Sequence, residues 1–153
     1  MRAAYREDET RIAAMKQLDP EQKRGLLLAA RSAAKAAYCP YSKFRVGASV
    51  LGDDGSMYTG CNIENDSFGL TICAERVAVF KAISAGAKKI VALAISFPDA
   101  PSGAPEEMKM PCGACRQVMA QFAEADLALL IDQAGELSLG DVLPRPFRLI
   151  ARP

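Results

Sequence analysis

Leu26, Leu27, Ala30, Ala33, Ala34 and Ala37 recur at three- and four-residue steps between Pro20 and Tyr38. That spacing predicts a helix with one apolar face, opened by Pro20 and Glu21 and stopped by Pro40, which disfavours helical backbone in the residue before it. Phe44 to Leu51 reads as a strand, Gly52-Asp53-Asp54-Gly55 as a turn, and Ser56 to Asn62 as a returning strand, so a hairpin is expected. From Cys73 to about Ala85 the pattern is helical, with Val77, Phe80, Ile83 and neighbouring alanines inward and Gly86 as the cap. Ile90 to Phe97 is continuous enough for a buried strand. Pro98 to Met110, rich in Pro, Ser, Gly and Glu, predicts an exposed loop. Pro111 to about Phe122 is the next helix, with Val118, Met119 and Phe122 as its core face. Leu127 to Asp132 is a strand, Gln133-Ala134-Gly135 a turn, and Leu139 to Leu143 about one helical turn. Strand–helix–strand order after an antiparallel start implies a mixed sheet with helices on both faces.

At 153 residues the chain is one ordinary domain with enough material for a core. Half the residues are apolar and a quarter charged, the balance of a soluble globular protein. The net charge is +1, and no face-sized run of Lys and Arg appears, which argues against nucleic acid as a partner. No apolar stretch approaches the ~20 residues that span a bilayer, so no membrane partner is expected. Arg2 and Arg6 are followed at once by Glu7, Asp8 and Glu9, unlike a secretory or transit signal, and a cytoplasmic protein is expected.

The five cysteines, Cys39, Cys61, Cys73, Cys112 and Cys115, are odd in number and favour metal or catalytic use over a disulfide framework. Histidine is absent, so any transition-metal site must lean on sulfur. Cys73-Ala74-Glu75-Arg76 begins one predicted helix and Pro111-Cys112-Gly113-Ala114-Cys115 the next. Helix starts offer free N–H groups and partial positive charge, which favour thiolates. Cys112, Cys115 and Cys73 would give three sulfur ligands and leave one tetrahedral position for water, the arrangement of a catalytic zinc. Glu75, two residues after Cys73, could take a proton from that water and return it to a leaving group. Zinc with three thiolates carries about −1 charge. A cation ~4 Å away at an effective dielectric of ~20 contributes about 4 kcal/mol before desolvation, and Arg76 is placed to supply it. Taken alone, Cys-x-x-Cys could equally be a redox pair or half of a structural zinc site. Cys39 and Cys61 read as small buried residues, and Asp126, Asp132 and Asp141 as turn and cap residues.

The two motifs together match the zinc-deaminase signature in its three-cysteine form. Tyr38 through Ala48, Gly60-Cys61-Asn62-Ile63-Glu64-Asn65, Pro111 through Met119 and Leu143-Pro144-Arg145-Pro146-Phe147 extend the match, and the chain resembles cytidine deaminases of the small homotetrameric type. The resemblance implies a three-layer α/β/α fold with a five-stranded mixed sheet, over residues 18–153, with 1–17 as an N-terminal extension. It implies one Zn2+ per subunit, hydrolysis of cytidine and 2′-deoxycytidine with release of ammonia, and active sites shared within a homotetramer. Phe44 and Val46 would pack on the pyrimidine, Asn62 and Glu64 bind the ribose 3′-hydroxyl, and the Ala74 backbone hold the base. Glu75 would contact the ring nitrogen and the water, and Phe147 would reach a neighbouring subunit's site. Asp66 and Phe68 stand where the family usually has a small residue and Tyr, which points to altered sugar tolerance. Alternatives are a deaminase of modified cytidines or of a nucleoside antibiotic, a polynucleotide-editing deaminase, and a structural zinc or redox module.

Overall fold

Asp19 opens the first helix, α1 (Pro20–Ala33), in the computed structural model, which describes residues 18–149. The Asp19 carboxylate accepts from the Gln22 N–H at 2.8 Å, and the Gln22 side chain accepts from the Asp19 N–H at 3.0 Å. This reciprocal cap satisfies two donors that the helix itself cannot. The helix tightens to a 3-10 turn over Ala34–Ala36, short of the predicted end. The expected N-terminal extension, 1–17, lies outside the described residues.

Next come the hairpin strands β1 (Gly47–Gly52) and β2 (Met57–Cys61), helix α2 (Ala74–Ser84) and strand β3 (Ile90–Ser96). Helix α3 (Gly113–Phe122), strands β4 (Ala128–Ile131) and β5 (Gly135–Ser138) and the short helix α4 (Leu139–Val142) complete the order. The sheet runs β2-β1-β3-β4-β5. Only β3 and β4 are parallel, as their α3 crossover requires. On one face Leu26 and Ala30 of α1 pack with Leu51, Val91, Ala94 and Leu130. On the other, α2 and α3 bury Ala78, Val79 and Met119 against Val50, Leu93, Ile95 and Leu129. The expected three-layer α/β/α architecture with a five-stranded mixed sheet is therefore present. Strand β3 is central and buried along its whole length, in keeping with its continuous run of apolar and small residues.

Five local expectations need correction. Phe80 is 46% exposed rather than inward, and the buried face of α2 is Ala74, Glu75, Ala78, Val79 and Ala82. Small side chains line that face because the helix lies almost on β2. A Cβ on Gly60 would fall 2.5 Å from the Ala78 nitrogen and 2.7 Å from the Ala74 oxygen. Phe44 to Val46 precede β1 instead of starting it: side chains take the Phe44 carbonyl and the Arg45 and Val46 N–H groups, while the Val46 carbonyl accepts from the Asn62 N–H at 3.2 Å. The residue pattern gave no sign of β5, which is four residues long and half exposed. Cys39 and Cys61 are only partly buried, and Asp132 is more than a turn residue: it accepts from the Arg31 guanidinium at 2.6 and 2.9 Å and from the Ser96 hydroxyl at 2.8 Å. Asp141 does cap α4.

Candidate active site

Cys73 and Cys112 occupy the N-cap positions of α2 and α3, both with extended backbone, and Cys115 sits in the first turn of α3. The two helices pack side by side, so their N-termini bring the three thiols together. Cys73 Sγ lies 3.9 Å from Cys112 Sγ, and Cys112 Sγ lies 3.5 Å from Cys115 Sγ. All three sulfurs fall within 4.8 Å of one another, and none is in a disulfide. Sulfurs at 2.3 Å from a tetrahedral zinc sit about 3.8 Å apart, so the two shorter separations match those of ligands on one ion. No other Cys, Asp or Glu joins the cluster among the described residues.

The charge state of the cluster also suits a cation. A hydrogen bond shared with Cys115, together with Arg76, holds the Cys73 thiol well below its usual range. The same bond, with burial and the Glu75 charge, pushes Cys115 upward. Three adjacent sulfurs resist full ionisation until a divalent ion sits among them. Arg76 lies beside the cluster. Its Nη2 donates to Cys73 Sγ at 3.6 Å and to the Thr71 carbonyl at 3.3 Å, while its Nε is buried without a partner.

Glu75, 4% exposed, is on the same first turn as Cys73 but outside the sulfur cluster. Burial pushes its carboxyl up to about 7, and the Cys73 charge adds to that. Arg116 ties down the segment that carries Cys112 and Cys115: its Nε donates to the Pro111 carbonyl at 2.7 Å and its Nη1 to the Val142 carbonyl at 2.8 Å. Sequence reasoning missed Arg116, although its place directly after Cys115 was a signal.

The family model for the cytidine and deoxycytidylate deaminase zinc-binding region matches residues 20–130. The chain belongs to this family. Its cofactor is accordingly Zn2+, in keeping with the three-sulfur cluster. A cytidine deaminase of Halalkalibacterium halodurans is 46% identical over 126 residues, covering 80% of this chain and 91% of the relative. One from Mycobacterium tuberculosis is 45% identical over 121 residues, covering 78% and 85%. The crystal structure of a cytidine deaminase from Mycobacterium tuberculosis superposes with a TM-score of 0.71 at 42% identity, covering 82% of this chain and 97% of that one. A cytidine deaminase from Burkholderia pseudomallei gives 0.71 at 40% identity, covering 81% and 98%.

The remaining nominated residues fall in two places. Phe44 and Val46 pack on the same apolar cluster as Ala74 and Cys115. A cavity of about 460 Å³ is lined by Tyr41, Ser42, Glu64, Phe68 and Thr71, and the Thr71 carbonyl accepts from Arg76 Nη2. Asn62, 8% exposed, uses its carboxamide on the Val46 N–H and the Phe44 carbonyl. Glu64 accepts from the Tyr41 and Ser42 N–H groups at 2.9 and 3.2 Å. These two side chains thus shape the 41–46 segment, a task their sequence context did not reveal. The two departures from the family pattern converge on one residue: Asp66 accepts from the Tyr41 hydroxyl, and Phe68 stacks edge-on to the Tyr41 ring at 5.5 Å. Phe147 is 68% exposed and stands apart from this chain's cavity, its backbone tied to Gln117 of α3.

Proposed function

We propose that this chain deaminates cytidine and 2′-deoxycytidine to uridine and 2′-deoxyuridine, consuming water and releasing ammonia. The observation that carries the reading is the cluster of Cys73, Cys112 and Cys115 beside the buried Glu75. In it, Cys73, Cys112 and Cys115 hold the metal. Zn2+ there supplies a Lewis acid that makes water nucleophilic near neutral pH. Glu75 takes the proton released as water adds to C4 and delivers it to the ring nitrogen N3. It then takes the proton of the new C4 hydroxyl and passes it to the departing amino group, so that the C4 carbonyl forms as the C4–N bond breaks and no other acid is needed. Arg76 offsets the excess negative charge of the thiolates. Phe44 and Val46 hold the pyrimidine face, the Ala74 backbone the base edge, and Asn62 and Glu64 the 3′-hydroxyl. Asp66 and Phe68 act on the sugar side through Tyr41.

Residues 18–153 form the catalytic unit in this reading, supported by a family match that begins at residue 20, with 1–17 as an extension. Self-association as a homotetramer is supported by the exposed apolar side chains Ile63, Phe68, Leu70, Phe147 and Leu149, with Phe147 entering a neighbour's site. Five free thiols favour a reducing, cytoplasmic setting, and no helix among the described residues is long and apolar enough to cross a membrane. Ammonia release from the zinc-loaded protein over a nucleoside panel tests the reading. Cytidine and 2′-deoxycytidine should lead the panel; turnover confined to modified nucleosides, or none, would refute it.

A further inference from the structure

Residues 44–46 form a short shelf that belongs to no strand. On one side the Asn62 carboxamide takes the Val46 N–H at 2.8 Å and the Phe44 carbonyl at 2.9 Å. On the other, the Arg45 N–H donates to Asp99 Oδ2 at 2.8 Å. The Arg45 guanidinium closes on the same carboxylate, Nε to Oδ2 at 2.9 Å and Nη2 to Oδ1 at 2.6 Å. Side chains alternate along extended backbone, so Arg45 points away from the side on which Phe44 and Val46 pack with Ala74 and Cys115.

Asp99 is the third residue after β3, on the segment that leads to Pro111 and Cys112. Two residues earlier, Phe97 packs against Phe44 with ring centroids 6.3 Å apart. One segment therefore grips the shelf twice, through a ring and through a carboxylate, and goes on to two of the three sulfurs. An exposed ion pair adds little to global stability. Three bonds from one residue to one carboxylate, one of them from the backbone, fix geometry instead. Arg45 holds the Asp99 carboxyl down to about 2, so the pair stays charged at any working pH.

We infer that Arg45 and Asp99 are a positioning pair, which sets the spacing between the Phe44–Val46 shelf and the sulfur cluster and thereby governs how tightly the base is held. The inference rests on the nucleoside deaminase reading. It is tested by kcat and KM for cytidine, zinc content and Tm of the holoenzyme and its variants. Asp99→Ala should raise KM about tenfold with kcat within about twofold, because misplacement of a binding surface acts on ground and transition state alike. Asp99→Asn keeps an acceptor for the Arg45 N–H and should raise KM only about threefold. Arg45→Ala with Asp99→Ala should be no worse than Asp99→Ala alone, since the two act as one unit. Zinc content and Tm should stay at wild-type values throughout. An unchanged KM in Asp99→Ala, additive effects in the double variant, or kcat and Tm falling together with KM would overturn the inference. Wild-type turnover of cytidine, measured first, tests the functional reading separately; a wild type inert toward cytidine would remove both.

Discussion

Replacing Gly60 by alanine adds one methyl group at the point where α2 lies on β2. That methyl would sit 2.5 Å from the Ala78 nitrogen, 2.7 Å from the Ala74 oxygen and 2.8 Å from Val77 Cβ. Ordinary contact begins near 3.4 Å, so the shortfall is about 0.9 Å, and the atoms in the way are helix backbone and a Cβ that cannot rotate aside. The helix must move outward. Overpacking of this kind costs about 1–3 kcal/mol, and the displaced segment carries Cys73 and Glu75. In the proposed reading these are a ligand and the proton carrier, and moving them by nearly an ångström should lower kcat/KM up to about 100-fold and speed zinc loss to a chelator. Thermal unfolding, chelator-competition kinetics and cytidine turnover would be measured together. Gly25→Ala is the control: nothing lies within 4 Å of its Cβ, and it sits inside α1, so it should raise stability by about 0.5–1 kcal/mol. A Gly60→Ala protein with wild-type Tm, zinc retention and turnover would refute the claim that close helix–strand contact positions the site.

Arg76→Ala should cost about tenfold in kcat and loosen zinc, read by turnover and chelator competition; unchanged values would remove its electrostatic role. Asp132 is held below the usual carboxylate range, first by its hydrogen bond from Arg31. Its contribution is therefore present above the unfolded value of about 3.9 and lost as pH falls through the lower folded value. Asp132→Asn should be less stable at pH 7 by about 1–2 kcal/mol and lose less between pH 5 and pH 2, as Tm against pH will show. Asp66→Ala releases the Tyr41 hydroxyl and should change the cytidine to 2′-deoxycytidine ratio of kcat/KM by at least about threefold; indistinguishable profiles would dispose of a sugar-side role.

The sheet and its helices were legible where the pattern was strong, as in the periodic face of α1, the hairpin and the continuous apolar run of β3. Cys112 and Cys115 were legible because their spacing at one helix start is a local property, and Cys73, 39 positions away, joined them through its own place at a helix start. Contacts without such a motif were not. Phe80 looked like core by spacing, but the fit against Gly60 admits only small side chains, which turns the buried face toward Ala74, Ala78 and Ala82. Phe44 to Val46 had strand-like residues, yet Asn62 and Asp99 claim their backbone groups from 16 to 54 positions away. Asp132 resembled a turn residue because its partner Arg31 is 101 positions distant. Pattern reading finds elements and local motifs; partners brought together only by folding leave no such periodic trace.

Zinc K-edge absorption spectroscopy of the purified protein probes the metal's immediate neighbours directly. Three sulfurs at about 2.3 Å and one oxygen at about 2.0 Å are predicted. Four sulfurs, with Cys39 or Cys61 drawn in, or a protein without zinc would contradict an open catalytic site.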